Sequence, residues 1–141
     1  MSWRKSSDAM RQALKEVMVS KLRERGFRGS FPHFSRITNT RADLLTFQFS
    51  RYGPQLYIEI ASCPAKESDA PSTLRTHHAG LYRRRVGPQP CLDFEGISTS
   101  EEARHIAELA FGAIESQAES WWAAPTPAVP PNKSLERTRE G

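Results

Sequence analysis

Apolar residues recur at helical spacing from about Ser7 to Arg25, where Met10, Leu14, Val17, Met18 and Leu22 form one stripe. Ser6 or Ser7 is placed to cap this helix, and Asp8 sits where the positive end of the helix dipole favours an acid. Gly26 suits a left-handed exit, with Phe27 folding back onto Leu22. Lys21 and Arg25 border the stripe, so their stems must lie along apolar surface while their charges reach water.

The period then changes from helical to alternating. Residues 42–51 place Leu45, Phe47 and Phe49 on one strand face, and residues 55–61 place Leu56, Ile58 and Ile60 together. Tyr52-Gly53-Pro54 between them is turn chemistry, which predicts an antiparallel hairpin. His33–Ile37 reads as a preceding strand, and residues 80–86 and 91–94 as one or two further strands after a polar loop from Pro64 to Ser72. A second long helix opens at Ser98–Glu102, where Ser98 with Glu101 and Thr99 with Glu102 form two overlapping capping boxes. Its expected buried face carries Ala103, Ile106, Ala107, Ala110, Ala113, Ile114, Gln117 and Trp121, with Glu101, Glu108, Glu115 and Glu119 on the solvated side.

Helix, strands and helix without strand–helix alternation predict an α+β fold: an antiparallel sheet of four to five strands flanked by an N-terminal and a C-terminal helix. The expected domain spans residues 7–122, with a core built on Leu45, Phe47, Phe49, Leu56, Ile58, Ile60, Ile106, Ala110, Ile114 and Trp121. Residues 123–141 read as a disordered tail, because four prolines lie between Pro125 and Pro131 and Leu135 is the only sizeable apolar side chain after them.

Composition narrows the class. At 141 residues with 38% hydrophobic and 26% charged positions, the chain suits one folded domain. It has no apolar run near the roughly 20 residues that a spanning helix requires, so no membrane association is expected. Met1–Asp8 is basic without an apolar segment behind it, and two cysteines, Cys63 and Cys91, make no disulfide framework; the expected location is cytoplasmic.

The net charge of +4 raises the question of nucleic acid. Residues 1–27 carry 7 basic and 3 acidic groups, whereas residues 97–122 carry 1 and 5, so the two helices are expected to answer each other's charge. Arg83-Arg84-Arg85 is the densest basic run; on a strand Arg83 and Arg85 share a face and Arg84 takes the other.

Few residues fall in patterns that carry catalytic or metal chemistry. His33, His77, His78 and His105 lack metal-ligand spacing, so neither a metal nor any other cofactor is expected. Neither cysteine has flanks that activate a thiol, and Asp43, Glu59, Asp93 and Glu95 leave a dispersed acid–base pair open. Gly26-Phe27-Arg28-Gly29 matches the Gly-x-x-Gly of the KH loop, but extended residues follow where that loop needs a helix. Phe47 and Phe49 read as core in preference to a base-stacking pair, since Leu45 shares their face.

Several segments together resemble a bacterial family catalogued as domain of unknown function 4304: Leu22-Arg-Glu-Arg-Gly26-Phe27, Phe34-Ser-Arg36, Leu45-Thr-Phe47-Gln48-Phe49-Ser50-Arg51-Tyr52-Gly53 and Leu56-Tyr57-Ile58. The resemblance spans about residues 8–122 and implies a small α+β domain with no assigned activity. The function expected from the residues is a non-catalytic interaction module; a nucleic-acid-binding protein and an enzyme with a dispersed site are the alternatives. The expected contact residues are Arg51 and Tyr52 at the hairpin turn and Arg83 and Arg85 on a later strand, with an acidic protein or nucleic acid as partner.

Overall fold

The computed structural model describes residues 3–38, 41–65 and 83–124. Of the expected tail, residues 123–141, the part from residue 125 onward lies outside the described residues, as do residues 66–82, which include His77, His78 and the start of the strand expected over 80–86; Ala123 belongs to the last helix.

Helix α1 runs from Trp3 to Glu24 and buries Met10, Leu14, Val17, Met18 and Leu22, the stripe read from the sequence. It starts before the serines expected to cap it. Ser6 and Ser7 therefore lie inside the helix and are buried, and the Ser6 hydroxyl donates to the Ile97 carbonyl at 3.2 Å. The stop is as anticipated: Gly26 has φ +93°, the Phe27 N–H reaches the Leu22 carbonyl at 2.9 Å, and the Gly26 N–H reaches Arg23 at 3.0 Å. These two bonds satisfy carbonyls that the helix end leaves open.

Strands β1 (Arg28–Ser30), β2 (His33–Thr38), β3 (Arg41–Phe49), β4 (Gln55–Pro64) and β5 (Arg83–Val86) form an antiparallel meander in chain order. The two-residue strand β6 (Leu92–Asp93) pairs with the start of β4. The expected β3–β4 hairpin forms, and its register sets Leu45 opposite Ile60, Phe47 opposite Ile58 and Phe49 opposite Leu56. Side chains of directly opposed residues share a face, so these six form one apolar surface.

The C-terminal helix begins at α2 (Ser100–Ala113), capped by the Thr99–Glu102 box: the Glu102 N–H donates to Thr99 Oγ1 and the Glu102 carboxylate accepts from the Thr99 N–H. It continues through a π-helical turn, Ile114–Ala118, into α3 (Glu119–Ala123). Both α1 and this helix pack on the apolar surface of the sheet, making two layers.

The π turn corrects one core residue. The α-helical stripe Ala103, Ala107, Ala110 and Ile114 would continue to Gln117 and Trp121. The turn takes one extra residue, with the Glu119 N–H bonded back to Ile114, so the buried positions become Ala118 and Trp122. Trp122 is 2% exposed, whereas Trp121, like Phe49 and Ile106, packs half-buried at the margin of the core.

Candidate functional site

The residues set apart by the alternation face away from the helices. Backbone register aligns His33 with Thr46, Thr46 with Glu59, and Glu59 with Arg85, giving one polar row across β2, β3, β4 and β5. Gln48 and Tyr57 form the next pair along β3 and β4 on the same face, and Arg83 lies one step the other way, opposite Ala61. The side of the row toward Arg83 turns apolar, since Ala42, Leu44 and Ala61 are fully buried there.

His33 Nδ1 lies 3.1 Å from Thr46 Oγ1 within the row. The Arg85 guanidinium sits 4.1 Å from the centre of the Tyr57 ring, and Arg11 of α1 sits at the same distance over Phe49. Such stacking orders a guanidinium while leaving its N–H edges available to an anion. Arg11, His33, Thr46, Gln48, Glu59, Arg83 and Arg85 line one cleft of about 550 Å³, together with Pro32, Phe47 and Phe49.

Of the four contact residues anticipated from the sequence, Arg83 and Arg85 line this cleft. Arg51 and Tyr52 are exposed in the β3–β4 turn and do not line it. Phe47 is 1% exposed, stacked on Phe31 and edge-on to Phe34, so its ring belongs to the core and offers no open face. The Gly26–Gly29 segment leads into β1, which is strand where a KH loop needs a helix. Asp43 and Glu59 project from opposite faces of the sheet, and Asp93 spends one carboxylate oxygen on the Glu95 N–H at 2.8 Å, so these carboxylates do not converge.

On the helix face lies an ionic cluster that sequence reading missed. Arg36 on β2 donates from Nε to Asp43 Oδ2 at 3.0 Å and from Nη2 to Glu119 Oε1 at 2.8 Å. Its Nη1 reaches the Arg25 carbonyl at 3.1 Å, and its plane covers Phe27 and Trp122. Arg25 pairs in turn with Glu115 and Glu119.

Burial pushes the Asp43 carboxyl above its ordinary value, with Arg36 and Arg41 opposing without cancelling it. Burial also pushes Glu119 upward, but Arg36 and Arg25 outweigh it and hold that carboxyl low. The charges here answer one another and tie α1, the sheet and α3 together. No local motif announces the cluster, because its members are spread from Arg25 to Glu119; only the opposed charge of the two helices signalled it.

Among the described residues no group of three or more histidine, cysteine or carboxylate side chains converges as a metal site. No helix is long and apolar enough to cross a membrane among them. No curated protein and no solved structure matches the chain. A family model described as Domain of unknown function (DUF4304) matches residues 18–137, which takes in the last seven residues of α1, the whole sheet and the C-terminal helix. The chain belongs to the DUF4304 family.

Proposed function

We propose that this protein is a non-catalytic interaction module that holds an acidic partner on the polar face of its sheet, through Arg83 and Arg85. One contrast carries the reading. Arg25, Arg36, Arg41 and Arg104 each meet a carboxylate within the molecule. Arg83 and Arg85 share a cleft with Arg11, and among the described residues no carboxylate forms an ion pair with any of the three. Three guanidinium groups against the single carboxylate of Glu59 leave the cleft with an excess of positive charge, which steers and orients an anionic partner. Arg51 and the 88% exposed Tyr52 form a second, outlying contact in this proposal.

The test is a pull-down from the native host with wild type and with the charge-reversed variant Arg83→Glu/Arg85→Glu. The three residues 83–85 are exposed, so the variant is expected to fold, with an unchanged circular dichroism melt. Loss of the salt-sensitive partner from the variant supports the reading. Recovery of the same macromolecules with both proteins removes this face as the site.

A further inference from the structure

We infer that the acidic partner is an extended peptide that adds to the sheet as one more strand along β5, with acidic side chains set against Arg83, Arg84 and Arg85. This rests on the interaction-module reading and names the kind of partner and its mode of binding. β5 is the last strand of the meander and pairs on one side only, with β4. Among the described residues no second strand and no side chain bonds to the backbone of residues 83–86 on the other side. The strand stops at Gly87, which has φ +93° and gives its N–H to Gln117 Oε1 at 2.9 Å. The far edge of the sheet is closed differently: β1 is three residues long, and its Gly29 carbonyl accepts from the Arg23 guanidinium at 3.1 Å. An unpaired edge is a template for a strand from another chain, and main-chain hydrogen bonds then supply affinity.

The placement of charge selects the occupant. Arg85 stands opposite Glu59 and Arg83 opposite Ala61 on the polar face, whereas Arg84 stands opposite Ile60 on the helix side, and all three are exposed. Positive charge thus flanks one edge on both faces of the sheet. A strand laid alongside β5 alternates in the same way, so three successive acidic residues meet all three arginines in turn. A nucleic-acid strand carries its phosphates along one line and meets the arginines of one face. A second copy of β5 would set arginine against arginine, which destabilises a strand pair. The Arg85 guanidinium is already seated 4.1 Å from the centre of the Tyr57 ring, so less side-chain freedom is lost when a carboxylate arrives.

Fluorescence anisotropy with three labelled probes tests the inference: a seven-residue peptide with three central glutamates between valine and threonine flanks, the same peptide N-methylated at its five central amides, and a ten-nucleotide oligouridylate. The unmodified peptide is expected to bind. Its N-methylated form keeps every charge but cannot pair as a strand, and is expected not to bind. Arg83→Ala/Arg85→Ala should weaken the unmodified peptide by about 2- to 30-fold, the loss of two cross-strand charge pairs. Arg104→Ala, which removes one positive charge elsewhere, should leave its affinity unchanged. Amide hydrogen exchange should show new protection at alternate residues of β5 when the peptide is bound, because only every second N–H points to the open side.

Absence of peptide binding, equal binding of the N-methylated form, unchanged affinity in the double variant, or no added protection in β5 overturns the inference. If the oligouridylate binds in an Arg83- and Arg85-dependent way and the peptide does not, strand addition is excluded and the interaction reading stands. If the pull-down partner also survives charge reversal, both readings fall.

Discussion

The indole N–H of Trp122 donates to the carbonyl of Ala61 at 3.0 Å, joining the last turn of the chain's C-terminal helix to the middle of the sheet. This bond exists because the π turn rotates the helix by one residue and carries Trp122 inward in place of Trp121. The same rotation brings Glu119 to Arg36 and Gln117 to the Gly87 N–H at 2.9 Å. An irregular turn thus positions three side chains that a regular helix would have pointed elsewhere.

Trp122→Ala is therefore expected to cost about 3–5 kcal/mol of unfolding free energy, as for a large buried aromatic. Trp122→Phe keeps most of the apolar contact but leaves the Ala61 carbonyl without its indole donor, for a smaller loss of about 1–3 kcal/mol. Trp121→Ala should cost less than either. Urea unfolding of the three variants gives the order, and a larger loss for Trp121→Ala than for Trp122→Ala would mean that the regular helical phase persists to the end.

The carboxylates around Arg36 should titrate apart. Carbon-13 chemical shifts are expected to place Asp43 above its ordinary 3.8 and Glu119 below its ordinary 4.5. The signs for stability are opposite. A raised Asp43 favours the fold below its unfolded-state value, and that contribution is lost as pH rises through the folded-state value. A lowered Glu119 stabilises the fold above 4.5, and its contribution is lost as pH falls through the folded-state value. In Glu119→Gln, the deficit relative to wild type should accordingly be largest near neutral pH and shrink in acid below 4.5. A deficit independent of pH would show that the Glu119 charge contributes nothing.

Two glycines should differ in how they tolerate a methyl group. Gly26 at φ +93° and Gly29 at φ +108° both adopt backbone that costs other residues about 1–2 kcal/mol. A Cβ on Gly26 would meet only the side-chain methylenes of Arg36, at 3.4 Å, but on Gly29 it would lie 2.7 Å from the His33 carbonyl oxygen. That oxygen is backbone in the β1–β2 pair and has little room to move. Gly29→Ala should lower the melting temperature more than Gly26→Ala; the reverse order would mean that β1 yields easily.

Much of the fold is legible locally. Alternation through Leu45, Phe47 and Phe49 and through Leu56, Ile58 and Ile60, with turn chemistry between them, leaves one register that buries both sets of side chains. Thr99 and Glu102, and Gly26 with Phe27, mark helix ends through hydrogen bonds that span only a few residues. The cleft proposed as the contact site was half legible: Arg83 and Arg85 were picked out by strand periodicity, but Arg11, His33, Thr46 and Gln48 join them only once four strands and a helix are aligned.

Tertiary structure alone decided three things: the π turn that exchanges Trp121 for Trp122, the Arg36 cluster and the row across the sheet. Each depends on groups far apart in the chain, and each is settled by what the neighbouring layer offers. The helix changes pitch where that seats Trp122 against the Ala61 carbonyl and Glu119 against Arg36. Local propensity carries no record of those two partners, because they belong to strands laid down some 60 to 83 residues earlier.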